Sequence, residues 1–234
     1  MGQTMRFRLP LVATAALLVL SACSRGKSPG QSSASAAQSS HSPLATIKAL
    51  IAAREAGDYK LIESLTRPDA AHLLAETLMA VDEFLEANAR LCATVHDNVG
   101  PGLPRTIDQS QLAASLDIFS PYVEVLDEEV VEGTSATVSF IVDHRLPAKH
   151  TKLRKIDGRW YYDPGSVDAT NLPAAFRRMA RGLRQVREEI ESGRLSPKAL
   201  RDNPERLMNE VRVRLMPGVK LLPPPPAKPK PDGG

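Results

Sequence analysis

Aromatic residues make up only 4% of this 234-residue chain, with five Phe, four Tyr and one Trp, so its core has to be built from aliphatic side chains. Cysteine is scarcer still: Cys23 and Cys92 are the only two, which excludes a framework of several disulfides. Net charge is nearly absent. The formal +3 includes Arg6 and Arg8, residues 1–22 hold no acid, and without that segment 28 basic residues face 27 acidic ones. A general nucleic-acid binder needs a basic surplus to neutralise phosphates and release counterions, so nucleic acid is not an expected partner. No P-loop, GxSxG or GxGxxG pattern occurs, and no two His have the one-turn spacing of a helical zinc site. No catalytic residue, metal or cofactor is therefore assigned. No apolar run reaches the roughly 20 residues that a membrane-spanning helix needs.

What the N-terminus does contain is a basic stretch, Met5-Arg6-Phe7-Arg8, an apolar run from Leu11 to Leu20, and small residues before a Cys. That order of charge, short apolar segment and small cleavage residues reads as a secretory signal over residues 1–22. Leu20-Ser21-Ala22-Cys23 resembles the lipobox of bacterial lipoproteins. The resemblance implies acylation at Cys23, cleavage before it, and a mature protein held at the membrane by its lipid. Multiple acyl chains make such attachment stable where one alone is marginal. Ser24, where inner-membrane lipoproteins carry Asp, points to the outer membrane, facing the periplasm. Residues 23–42 follow as a tether. From Ser24 to Ser42 the chain is mostly Ser, Ala, Gln and Gly with almost no large apolar side chain, so burial cannot offset its entropy. A coil of that length spans roughly 25 Å.

The folded part reads as α+β. Ser42-Pro43 is a cap followed by Pro at the first helical position, and Leu44, Ile47, Leu50 and Ile51 recur at helical spacing until Gly57. A short second helix carries Tyr59, Ile62 and Leu65. A long third one, opened by Thr66 and Pro68, buries Leu74, Leu78, Val81, Leu85, Leu91, Cys92 and Val95 and leaves Glu76, Glu83, Glu86 and Arg90 to solvent. Cys92, with Cys23 acylated, is then a lone thiol on an apolar helix face, which reads as a small buried hydrophobe. Residues 107–119 are expected to add one more short helix. Beyond them the period changes: 122–126, 136–142, 151–156 and 159–162 are β-branched or alternating, with turns at Gly133 and Asp157-Gly158. Trp160 and Tyr162 are expected to face the helices, and Tyr161 the other side.

Ala53-Arg54-Glu55-Ala56-Gly57-Asp58-Tyr59 in the first helix and Gly158-Arg159-Trp160 in the last hairpin, set in this order of helices before sheet, resemble the small envelope lipoproteins of the nuclear-transport-factor-2-like superfamily. The resemblance covers about residues 44–165. It implies N-terminal helices packed on a curved, cone-like antiparallel sheet over residues 43–165, and an open sheet face through which a homodimer could form. Enzymatic members use Asp, His or Tyr side chains projecting into the cone, and no residue here carries a matching motif. Asp143-His144 reads as the polar end of a strand, whose adjacent side chains point to opposite faces. His144 and His150 read as straddling a loop that contains Pro147, and Asp163-Pro164-Gly165 reads as a plain turn out of the sheet.

Residues 166–216 form a helical extension. Its first helix, Leu172 to Ile190, has Phe176, Met179, Ala180, Leu183, Val186 and Ile190 on one face, and Arg177, Arg178, Arg181 and Arg184 supply a candidate basic surface on the rest. Ser196-Pro197 and Asn203-Pro204 repeat the cap-then-Pro start, so further short helices run to about Met216. Residues 217–234 form a Pro/Lys-rich tail. From Pro223 onward a polyproline II segment would reach roughly 37 Å. Three functions fit: a lipid-anchored envelope module that binds a partner or ligand or serves a structural role, a small-molecule enzyme using the cone, or a tether to peptidoglycan or the membrane surface through the basic helix and the tail. The anchor is the sharpest expectation. In cells fed a fatty-acid analogue, the wild-type chain takes up label and sediments with membranes, and Cys23→Ala loses both; an unlabelled, freely secreted wild type would refute it.

Overall fold

The computed structural model describes residues 42–113, 116–120, 122–165 and 171–222. The signal segment, Cys23, the tether up to residue 41 and the Pro-rich stretch from residue 223 lie outside the described residues. The class is α+β, with helices before and after a four-stranded antiparallel sheet.

Local signals account for the first helices. In α1 (Pro43–Ala56) the Ser42 hydroxyl accepts from the Ala45 N–H at 3.1 Å, and Gly57, at φ 66°, closes the helix. That left-handed φ is open to Gly without steric cost. Asp58 then caps α2 (Tyr59–Leu65) by accepting from the Leu61 N–H at 3.0 Å. Helix α3 (Pro68–Asn98) runs for 31 residues, about 46 Å at 1.5 Å per residue. Its buried face includes Leu78, Val81, Leu91 and Val95 as expected. It also takes in Phe84 and Asn88, while Leu74, Leu85 and Cys92 are only half-buried.

The single helix expected over 107–119 is not formed. A short α4 (Pro104–Ile107) and two 3-10 turns, Ser110–Ala113 and Asp117–Phe119, take its place. The buried amide of Asn88 bonds the backbone and side chain at the break. Its Nδ2 donates to Asp108 Oδ1 at 2.7 Å and its Oδ1 accepts from the Gln109 N–H at 3.0 Å. Asp108, also bonded to the Ser110 N–H at 2.9 Å, is thereby held extended, at ψ 121°.

The strands are β1 (Val123–Glu132), β2 (Ser135–Val142), β3 (Arg145–Ile156) and β4 (Arg159–Asp163), in the order β1-β2-β3-β4 with every pair antiparallel. They are longer than their sequence signals. β1 continues past a register shift between Val125 and Glu129. Asp143 and His144 are not a strand end: at φ 54° and 55° they form the two-residue turn between β2 and β3. Two consecutive positive φ values match the twist of a hairpin, and Asp tolerates that region better than most residues. Pro147 and His150 lie within β3, not in a loop.

Two apolar cores share α3. In one, Ile47, Leu50, Ile62 and Leu65 of the first helices pack with Leu78 against Phe140, Leu153, Trp160 and Tyr162 of the sheet. Trp160 and Tyr162 thus face the helices, as their alternation predicts. In the other, Val81, Phe84, Leu91 and Val95 of α3 pack against α5 (Leu172–Glu191), α6 (Pro197–Asp202) and α7 (Pro204–Val219). The six apolar residues named for α5 are all buried there. The C-terminal helices therefore pack on the helix that also supports the sheet. Helix α7 passes the expected limit at Met216 and includes Pro217 and Gly218, so the tail begins later than residue 217. Pro217 gives up the N–H bond that a residue there would make to the Val213 carbonyl, and Gly218 is held at the α5 crossing.

That crossing depends on two missing side chains. A Cβ at Gly182 would lie 2.9 Å from the Arg214 carbonyl carbon and closer still to its oxygen, and one at Gly218 would lie 2.6 Å from the Ala175 carbonyl oxygen. Both of these neighbours are backbone, and a Cβ at Gly218 would also press on the Met179 side chain. Gly182→Ala is accordingly expected to cost about 1–3 kcal/mol through overpacking, despite the roughly 1 kcal/mol by which Ala is the better helix former. Urea denaturation decides it: a Gly182→Ala protein as stable as wild type, or more so, would mean that α5 and α7 do not cross this closely.

Candidate functional site

A cleft of about 290 Å³ opens where the first half of α3, the Asp117–Phe119 turn, the end of β4 and the start of α5 meet. Leu73, Leu74, Leu78, Phe119, Pro164 and Leu172 make its walls apolar, and Thr77, Asp117 and Tyr162 are the polar side chains lining it. The Asp117 carboxylate is fixed from the sheet side. Its Oδ2 accepts from the Tyr162 hydroxyl at 2.9 Å and from Thr151 Oγ1 at 3.0 Å. Both donors are buried, and Thr151 lies two residues along β3 from Leu153, the cross-strand partner of Tyr162. Asp117 adopts φ 53°, a left-handed conformation that Asp enters more readily than most residues. Phe119 meets the Tyr162 ring edge-on at 5.6 Å.

Tyr162 has its phenol pushed well above the ordinary tyrosine range, first by burial and then by the Asp117 charge and hydrogen bond. It is a neutral donor that orients the carboxylate. Thr77 is occupied too, its Oγ1 donating to the Leu73 carbonyl at 2.7 Å. The cleft thus offers one carboxylate in an apolar setting.

A second polar cluster joins α1 and α2 to α3. Both terminal Arg54 guanidinium nitrogens bind the Asp82 carboxylate, which also accepts from the Tyr59 hydroxyl. Desolvation, then the Asp82 hydrogen bond and charge, push the Tyr59 phenol up to about 12. Asp82 has both its oxygens taken, so the cluster serves as a clamp. At the start of α3, Arg67 pairs with Asp69 at 2.6 Å and with Asp163 at 2.9 Å, while its N–H donates to the Tyr162 carbonyl at 2.9 Å.

Of the residues singled out in sequence, Cys23 lies outside the described residues. Arg177 and Arg184 sit on α5 beside α3, 3.6 Å from Glu76 and 3.4 Å from Glu83. Arg178 and Arg181 are exposed, so the four do not make an unbroken row of free charge. Cys92 is half-buried, its thiol 3.8 Å from the Pro104 carbonyl and raised in pKa by burial and the Asp108 charge, which opposes thiolate chemistry. His144 is solvent-facing, 3.2 Å from Glu124. Among the described residues no three His, Cys, Asp or Glu gather as metal ligands, and no helix is long and apolar enough to cross a membrane. Sequence reasoning placed Tyr162 on the inner face and missed Asp117. The only available signal was an Asp interrupting the apolar run of 116–119.

Compared with known proteins, the chain matches no family model, no curated protein and no solved structure.

Because Tyr59 and Tyr162 ionise later in the folded protein than in the unfolded chain, the native state holds its protons more tightly at high pH. Stability should be constant with respect to these groups below pH 10 and fall as pH rises through 10 toward 12. Tyrosinate absorbance should show a late-ionising fraction that shrinks in Tyr59→Phe and in Tyr162→Phe. A titration in which all four tyrosines ionise together in the folded protein would contradict the burial of both phenols.

Proposed function

We propose that the chain is a lipid-anchored protein of the bacterial cell envelope, attached through Cys23 to the outer membrane and facing the periplasm, whose folded part binds a small ligand in the α3–β4 cleft. The carrying observation is the single buttressed carboxylate of Asp117 in an otherwise apolar wall. Apolar walls with few placed polar groups are the common form of a ligand site. Such a site suits a molecule with an apolar body and one cationic or hydrogen-bond-donating head.

Binding is favoured over catalysis by the same inventory. Acid–base chemistry needs a group that can exchange its proton near the working pH, and beside Asp117 the lining offers only Tyr162, kept protonated, and Thr77, bonded to the backbone. The resemblance to nuclear-transport-factor-2-like envelope lipoproteins is part of this proposal. It is supported by the break between α1 and α2 at Gly57-Asp58 and by the β3–β4 hairpin that turns at Asp157-Gly158.

The test is displacement of a neutral apolar fluorophore by decylamine and by decanoate. Decylamine should compete roughly ten- to a hundredfold better, the value of one charge-assisted hydrogen bond. Asp117→Asn should bring the two together, and Leu74→Trp, which fills the cleft, should abolish both. Failure of the fluorophore to bind, or equal competition in wild type, would sink the proposal.

A further inference from the structure

The opposite face of the sheet from the cleft carries a different chemistry. Strand β3 contains Arg145, Lys149, Lys152, Arg154 and Lys155 and no acidic residue. Edge strands often carry such charge to deter edge-to-edge pairing, but β3 lies inside the sheet, between β2 and β4, so that reason is lacking. Lys152 and Arg154 alternate with the inward-facing Thr151 and Leu153 and are exposed, which puts their backbones roughly 6.7 Å apart on the outer face.

Opposite charges across strands would be stabilising, yet the β2 partners of these residues are hydroxyls: Thr137 opposite Lys152 and Ser135 opposite Arg154. On β4, Asp163 lies opposite Lys152 and Tyr161 opposite Arg154, and Arg159 stacks over the Tyr161 ring at 6.0 Å. Asp163 is the one acid of β3 and β4, and it is already shared between Arg67 at 2.9 Å and Arg154 at 3.6 Å. Lys152 and Arg159 have no carboxylate partner among the described residues. The result is a line of cations flanked by hydroxyls and one aromatic ring.

We propose that this face binds an anionic polysaccharide laid along β3, with Lys152, Arg154 and Arg159 meeting its carboxylates or phosphates, Ser135 and Thr137 its hydroxyls, and the Tyr161 ring a sugar face. The charge complementarity identifies a polyanion; the hydroxyls and the ring select a glycan. This surface is independent of the cleft, since Tyr161 and Tyr162 point to opposite sides of β4.

The full chain is titrated calorimetrically with polygalacturonate, with uncharged dextran of similar length, and with a single-stranded oligonucleotide of matched charge. Polygalacturonate should bind, with affinity falling as salt rises, and dextran should not. The double variant Lys152→Glu/Arg159→Glu should weaken binding at least tenfold, and Tyr161→Ala several-fold, both with an unchanged unfolding midpoint and unchanged displacement of the fluorophore from the cleft. The inference is overturned if wild type fails to bind polygalacturonate, if the oligonucleotide binds more tightly, if dextran binds equally, or if Arg178→Glu/Arg181→Glu on α5 removes binding while the β-face variants keep it.

Discussion

Helix α3 has to satisfy two cores with one continuous run of sequence, and the rest of the fold is arranged around that demand. Leu78 belongs to the core under the sheet, and Val81, only three residues on, to the core under α5 and α7. Each buried Leu, Val or Phe contributes on the order of 1.5–3 kcal/mol relative to exposure, so neither half of the helix is stable without its own partners. A 31-residue helix is also stiff enough to transmit position. It fixes where β4 and α5 stand relative to each other, and the cleft is the space left between them.

Polar ties set the details that apolar packing leaves free. Burying hydrophobic area is non-directional, whereas a buried amide or carboxylate is satisfied in one geometry only. Asn88 bonds Asp108 and the Gln109 N–H, and Asp108 is extended where a helix through 107–119 would need it helical. Arg54 and Tyr59 converge on Asp82 and lock α1 and α2 against α3. Arg67 ties the start of α3 to the end of β4 through Asp163 and the Tyr162 carbonyl. Asp117 completes this set, taking two hydroxyl hydrogen bonds from the sheet while its backbone sits at a left-handed φ.

The two proposed binding surfaces exploit the two faces of one sheet. Strand alternation sends Thr151, Leu153 and Tyr162 toward the helices and Lys152, Arg154 and Tyr161 away from them. Shape and a single carboxylate dominate the first face; positive charge in excess of its one acid, Asp163, dominates the second.

Local chemistry was legible wherever it decided the outcome. Ser42-Pro43, Gly57-Asp58 and Asp157-Gly158 mark boundaries by capping and turn geometry alone, and the apolar stripe of α5 is buried at all six residues named for it, because a helix that amphipathic has one way to hide its face. The α+β class follows from these signals. What the residues could not reveal were features created by distant partners: the loss of helix over 107–119, the two-residue turn at Asp143-His144, the continuation of α7 through Pro217, the pairing of Arg177 and Arg184 with acids of α3, and the place of Asp117 in a cleft. Sequence determined the elements and their inward faces, since those depend on neighbours three or four residues away. Only the tertiary structure decided which carboxylate, which arginines and which strand face were left to act, because that depends on contacts made across tens of residues.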